Sequence, residues 1–449
     1  GDWSSDVCSS DLMEQLLHYV WRHRLFPLRP LTTQGGERVE VIDVGLPNPH
    51  DGPDFFNAKV KVGATYWAGN VEIHDRASDW FHHGHDRDPH YNNVVLHVVR
   101  EADALALTQD GKRIPQLQLE VPTYVEANYA ALFAEEKYPP CFRVLPDLTT
   151  LQRTSWLAAL AAERLEQKKA RIDDYLRLTN RDWERSCFVA LARNFGFGVN
   201  AEAFERWALN IPLSAVGKHR DNAFQVEAFF FGQAGLLDPQ ATPQERQDDY
   251  FRSLADEYRF LRHKFSLTPL PHDLWRFLRL RPQNFPHVRI AQLVNLYHSN
   301  QVNLSRLLEA ASAADLRALL QTSVTPYWET HYTFGLLSKA ARKALQTSAL
   351  DLLLINTAVP LLFAFGRSHR DERMCERALR LMESIAPERN SIVKAWADVG
   401  LTARSAAESQ ALLRLKRDYC QRKACLDCRF GAAYLQMGAP DAAGAQLDQ

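Results

Sequence analysis

The sequence predicts an α+β protein in which an N-terminal αβββαβ domain precedes an all-helical C-terminal domain. Residues 38–44 and the pair of runs at 55–62 and 65–74 alternate with period 2, and a continuous apolar run follows at 93–100. From about residue 125 the period becomes 3.6 and strand patterning stops. Pro139, Pro140 and Pro146 mark the changeover. The expected division is 13–123 for the α/β domain and 124–449 for the helical domain, with residues 1–12 belonging to neither.

Taken in order, residues 14–24 (EQLLHYVWRHR) read as a short amphipathic helix and 38–44 (RVEVIDV) as a strand. Residues 55–62 and 65–74 form a hairpin around Gly63-Ala64. Residues 77–91 are polar and hold a helical turn plus loop, and 93–100 (NVVLHVVR) is a strand covered on both faces. Weaker strands at 104–108 and 116–121 flank the turn Asp110-Gly111. A long helix is expected over 149–178, capped by Thr149 or Thr150. More helices follow, among them 335–346, 349–365 and 405–436.

The first twelve residues, GDWSSDVCSSDL, resemble a translated sequencing-adapter fragment and lack the basic end and apolar centre of a signal peptide, so Met13 is the expected start. Setting aside their three aspartates moves the formal charge from −1 to +2, and six of the seven cysteines remain. That near-neutral balance argues against a polybasic binder while leaving room for a local basic groove. Six cysteines in a chain this long do not make a disulfide framework, so a reducing, cytoplasmic setting is expected. The most apolar stretch, 349–365, contains Asp351, Asn356 and Pro360 and reads as a buried helix broken or kinked near the proline, with no membrane span expected. No phosphate-binding Walker loop, G-x-G-x-x-G or G-x-S-x-G is present.

The hairpin GPDFFNAKVKVGATYWAGNVEIH (52–74) carries the chemistry. Side chains alternate along a strand, so Glu72 and His74 share a face. Counting outward from the turn sets Asp54 opposite Ile73, and a one-residue bulge would move it beside Glu72 or His74. Two carboxylates that close repel each other and call for a divalent cation or a shared proton. Lys59 and Lys61 fall on the face opposite Asp54.

The αβββαβ order, with Pro53-Asp54 before the second strand and Glu72-Ile73-His74 on the third, resembles the PD-(D/E)XK nuclease superfamily over residues 13 to about 100. The resemblance implies a nuclease-like fold in which Asp54 and Glu72 bind Mg²⁺ or Mn²⁺. Glu14 would add a third carboxylate from the first helix. It also places His74 where the superfamily has a catalytic lysine. Histidine can act there as a general base, bind the metal, or mark an inactive descendant. The whole chain also resembles the bacterial domain-of-unknown-function family 2851, on GPDFFNAKV (52–60), WAGNVEIH (67–74), ASDWF (77–81), DPHYNNVVLHVV (88–99) and RLRPQNFPHVRIAQL (279–293). The functional expectation is a metal-dependent phosphodiesterase acting on nucleic acid. The alternative is a catalytically inactive nuclease-like scaffold that binds nucleic acid or protein.

Further candidates surround this motif. His82, His83, His85 and His90 crowd the following loop with Asp79, Asp86 and Asp88, and His97 lies on the next strand. The loop residues read as a polar loop, as transition-metal ligands, or as a rim, with His85, touching substrate phosphates. His97 could face the same site as His74 and contact substrate if its strand lies beside the Glu-x-His strand. Arg279 and Arg281, in a stretch with Trp275 and Phe277, suit phosphate contact, or else form the solvated face of a helix. At the C-terminal end Cys420, Cys425 and Cys428 are spaced C-x4-C-x2-C, which suits zinc or an iron–sulfur cluster, with Cys141 the first candidate for the fourth ligand and Cys187 the next, or else they are packed or surface thiols of a helix. Some helicase-linked and CRISPR-associated nucleases of the PD-(D/E)XK superfamily resemble this plan of one upstream cysteine and a C-terminal trio.

Overall fold

The computed structural model describes residues 9–438, so residues 1–8 of the expected foreign leader lie outside the described part. The chain is mixed α/β, with one sheet in its N-terminal part and helices beyond. It forms two compact units. One takes in the described residues up to Thr149 together with those from Arg417 onward, and the other is Thr150–Lys416.

In the first unit, α1 (Ser9–Arg22) starts ahead of Met13 and buries Leu16, Leu17, Val20 and Trp21. The i, i+3, i+4 spacing of these residues makes one apolar stripe, which packs on β5. The strands are β1 (Leu31–Thr32), β2 (Arg38–Asp43), β3 (Leu46–Pro47), β4 (Phe55–Val62) and β5 (Thr65–Arg76); after the helical turn α2 (Asp79–His82) come β6 (Val94–Glu101) and β7 (Gln116–Gln118). They make a seven-stranded sheet in the order β1-β2-β4-β5-β6-β7, with β3 pairing on β4. β4 and β5 are antiparallel, whereas β5-β6 and β6-β7 are parallel. β6 is buried along most of its length, as its unbroken apolar run requires of a central strand. Of the two weak strands expected after it, residues 116–118 form β7, while 104–108 supplies only a single bridge from Leu107 to Arg113.

The hairpin contains the bulge that decides the site. Val62 pairs with Thr65 and Ala58 with Gly69, but Phe55 pairs with Val71, so β4 carries one extra residue between Phe55 and Ala58. Asn57 sits there at φ 56°. Asparagine tolerates this left-handed conformation better than most side chains do.

The helical expectation after residue 123 needs a correction at the domain boundary. Helix α3 (Thr123–Ala134) belongs with the sheet, and so does the C-terminal segment. Asn128 Nδ2 of α3 donates to the carbonyls of Leu435 (3.1 Å) and Met437 (2.9 Å), and Tyr19 Oη of α1 donates to the carbonyl of Ala432. The last 20 or so described residues thus cover α1 and α3, and the first unit is discontinuous in sequence.

The second unit opens with the 29-residue helix α4 (Thr150–Leu178). The 279–293 motif forms a short 3-10 turn at Pro282–Asn284 and then the helix Pro286–His298, whose residues 286–294 are all buried. The expected helix 335–346 is absent. Gly335 adopts φ 61°, Leu336 and Leu337 are exposed, and Lys343 Nζ donates to the carbonyls of Trp328, Glu329 and His331. Its apolar residues never formed a buried stripe. The apolar segment is helical over Thr347–His369 and widens into a π-helical turn at Leu354–Ala358, directly before Pro360. It is long and apolar enough by composition to cross a membrane, and 72% of its most apolar window is buried inside the protein. The expected helix 405–436 is interrupted: Ala406–Arg414 runs into a π-helical turn at 415–420, and a helix resumes only at Arg429–Leu435.

Candidate functional site

The bulge at Asn57 seats Asp54 against Glu72. The backbone N–H of Asp54 donates to Glu72 Oε2 at 3.1 Å, and Asp54 Oδ2 accepts from the backbone N–H of Ile73 at 2.9 Å. Glu14 reaches the same place from α1, and its carboxyl is pushed up to about 7 by burial and by the charge of Asp54. Burial also raises Asp54, against the pull of His18, the Ile73 amide and His83. Glu72, 4% exposed, is held well above the usual carboxylate range by burial, then by Asp54 and Glu14. Three carboxylates therefore share one poorly solvated region, each resisting the ionisation of the next.

Imidazoles line the other side. His74 Nε2 lies 3.6 Å from Glu72 Oε1, and His85 Nε2 lies 3.1 Å from the same oxygen. His74 Nε2 is 3.2 Å from His83 Nδ1, and His74 Nδ1 is 2.9 Å from His97 Nε2. Ring nitrogens of His74, His83 and His85 all fall within 4.8 Å of one another. Burial and the neighbouring rings lower His74 to about 2, His97 to about 3 and His85 to about 4, so all three are neutral at pH 7. His85 stacks on Tyr91 at 3.7 Å, and Trp80, fully buried with Nε1 donating to the Leu107 carbonyl, backs both His85 and His97.

The parallel register sets this arrangement. Glu72 pairs with His97, and His97 pairs with Gln116, so the three form one row across β5, β6 and β7. His74 stands two residues along from Glu72 on the same face.

The structure brings together Glu14, Asp54, Glu72, His74, His85 and His97. His97 is fully buried behind His74, so its place is inside the site and not on a substrate-facing rim. His82 and His90 are exposed and pair with Asp79 (3.2 Å) and Asp88 (2.7 Å), as loop-capping residues do. Arg279 and Arg281 are exposed and belong to the second unit. The stretch around them is irregular, with Arg279 at φ 63°, so no helix presents them. Sequence reasoning missed His18, which lies one turn beyond Glu14 on α1 and approaches Asp54 Oδ2 at 3.4 Å. Its Nε2 is buried and has no hydrogen-bond partner among the described residues. The i, i+4 spacing of Glu14 and His18 was the available signal.

Cys141, Cys420, Cys425 and Cys428 all belong to the first unit. Cys141 is the residue before the 3-10 helix Phe142–Asp147, and Cys428 is the residue before the helix Arg429–Leu435. These two helices pack on each other. Burial raises the Cys141 thiol well above its ordinary value, and Cys428, Cys420 and Cys425 each add to the rise. Cys425 is pushed up to about 11 by burial and by Cys428. A Cβ on Gly431 would meet the Cys425 carbonyl at 2.2 Å, so glycine is required for the chain to double back there. A cavity of about 150 Å³ opens beside Cys420 and Cys425, walled by Phe133, Lys137, Tyr138 and Pro140.

A mixed sheet that presents clustered carboxylates and imidazoles defines the first unit. The chain belongs to the DUF2851 family, described as a protein of unknown function, which matches residues 14–391. No curated protein and no solved structure matches it.

Proposed function

We propose that the first unit is a divalent-metal-dependent phosphodiesterase acting on nucleic acid. The observation that carries this reading is the Asn57 bulge, which seats Asp54 against Glu72 beside Glu14. The residues fit a hard cation: three carboxylates supply oxygen ligands, and His18 Nε2 faces them, 3.4 Å from Asp54 Oδ2. The element order and the Pro-Asp and Glu-x-His positions, which resemble the PD-(D/E)XK superfamily, support the same assignment. Asp54, Glu72 and Glu14 would hold Mg²⁺ or Mn²⁺, which supplies Lewis-acid polarisation of a phosphoryl oxygen and a lowered water pKa.

The protein's own part is positional. The Asp54 amide fixes the Glu72 carboxylate, and the Ile73 amide fixes that of Asp54. His74 occupies the lysine position as a neutral ring, so it can orient a group by hydrogen bonding but adds no positive charge. Cleavage assays on single- and double-stranded DNA and RNA with Mg²⁺ and Mn²⁺ test the reading. Metal-dependent cleavage lost in Asp54→Ala and Glu72→Ala is expected. Cleavage unchanged in both variants, or none on any substrate, overturns it.

The missing cation at His74 favours a second reading, a nuclease-like fold that binds nucleic acid or a protein without cutting. Binding that survives Asp54→Ala, with no cleavage by the unaltered protein, is its signature.

We also propose that Cys141, Cys420, Cys425 and Cys428 hold zinc or an iron–sulfur cluster that closes the discontinuous first unit. Four thiols drawn from the two ends of this unit match the ligand demand of either group. Metal and sulfide analysis of anaerobically purified protein, with its visible absorption, separates the two. Finding neither metal overturns the proposal.

A further inference from the structure

Gln116 fixes the direction of a buried hydrogen-bond relay. Its side-chain nitrogen lies 3.0 Å from the Ala104 carbonyl oxygen. A carbonyl only accepts, so this atom is the NH₂ of the amide and not its oxygen. The same nitrogen lies 3.3 Å from His97 Nδ1. Its second hydrogen points there, which makes His97 Nδ1 an acceptor and puts the proton of the neutral ring on Nε2. That nitrogen is 2.9 Å from His74 Nδ1, which must accept in turn. His74 therefore carries its own proton on Nε2, facing His83 Nδ1 at 3.2 Å and Glu72 Oε1 at 3.6 Å. Gln116 is 3% exposed, His97 0% and His74 1%, so solvent does not compete for these bonds.

We propose that Gln116 is a positioning residue that, through His97, locks His74 as an N–H donor aimed at the carboxylate site. Two consequences follow. His74 has no free lone pair, so it orients a water or phosphate oxygen and takes no proton. The trio His74, His83 and His85 is likewise not ready to take a transition metal, because the His74 nitrogen that faces the other two is protonated. Metal binding there would require both rings to reverse, leaving His97 Nδ1–H against the Gln116 NH₂ in the interior. The catalytic consequence rests on the phosphodiesterase reading, whereas the tautomer does not.

The test is a long-range ¹H–¹⁵N correlation spectrum of the full chain labelled at histidine, with His74→Asn and His97→Asn for assignment. In the unaltered protein at pH 7, both rings are expected with the proton on Nε2. A proton on Nδ1 of His74 overturns the proposal without recourse to any variant. Gln116→Glu places an acceptor opposite His97 Nδ1, so both protons should move to Nδ1 and free His74 Nε2. Affinity for Co²⁺ should then rise by about 10–100-fold, the usual scale for a changed second-shell partner. Unchanged tautomers in a folded Gln116→Glu variant would remove Gln116 from the relay. Absence of cleavage alongside the expected tautomers would overturn only the phosphodiesterase reading.

Discussion

The backbone N–H of Asp54 donates to Oε2 of Glu72 at 3.1 Å, so the residue that supplies one carboxylate of the site also holds the other in place. This contact exists because the bulge shifts the hairpin register by one residue between Ala58 and Phe55. A regular hairpin would set Asp54 opposite Ile73 and leave Glu72 without this amide.

The bulge should therefore be a point of failure for the site. Asn57 is at φ 56°, where a β-branched residue is disfavoured by roughly 1–2 kcal/mol. Asn57→Val is expected to lower unfolding free energy by about that amount and to weaken Mn²⁺ binding in a titration. Asn57→Gly should leave both nearly unchanged. Equal metal binding by the valine variant would detach the bulge from the carboxylate geometry.

Divalent metal should stabilise the protein through the carboxylates. A ligand that binds only the folded state raises stability with its concentration, by about 2.7 kcal/mol at a hundred times Kd. Mg²⁺ or Mn²⁺ is expected to raise the Tm of the unaltered chain at pH 7.5 but not that of Glu72→Ala. An equal rise in both proteins would place the binding elsewhere.

Glu227 predicts a pH effect in the second unit. Burial raises its carboxyl to about 6, although Trp328 Nε1 donates to Oε1 and Thr325 Oγ1 donates to Oε2 at 3.0 Å. A carboxyl raised in the folded state binds its proton more tightly there than in the unfolded chain. Its ionisation therefore costs stability as pH rises from about 4.5 to about 6, and the loss is constant above that. The full cost is about 2 kcal/mol. Urea unfolding of the unaltered chain and Glu227→Gln at pH 3.5, 4.5, 6 and 7 should show the variant gaining by about this amount across the series, with most of the gain between pH 4.5 and 6 and a levelling off above. A constant difference at all four values contradicts the assignment.

Cysteine replacement should act selectively. Cys425→Ser and Cys141→Ser are expected to lower the Tm by roughly 5 °C or more, and a chelator should do the same to the unaltered protein. Cys375, which lies in the second unit and outside the quartet, serves as the control, and its serine variant should respond to chelation as the unaltered chain does. Identical behaviour of the Cys425 and Cys375 variants would reduce the quartet to packed thiols.

The hairpin was legible in the residues themselves. Alternation over 55–74, a glycine turn and a Glu-x-His pair determine which side chains share a face, because a strand's period is set by its own backbone. The bulge was legible as a choice between two registers, and the C-x4-C-x2-C spacing marked the cysteine trio. Helix boundaries after residue 150 followed from apolar periodicity over most of the second unit, and failed at 335–346, where Leu336 and Leu337 stayed exposed, and at 421–428, where the expected helix 405–436 is interrupted. Only the tertiary structure decided the rest. It placed His18 beside Asp54, laid Gln116, His97 and Glu72 in one row across three strands, and returned the chain after Arg417 to pack against α3. It also assigned Arg279 and Arg281 to a different unit from the carboxylates. Local sequence encodes the period and the turn, each settled within a few residues of backbone sterics. Convergence of groups tens to hundreds of residues apart depends on strand order, parallel register and the packing of whole elements, to which no single stretch of sequence contributes enough to be read alone.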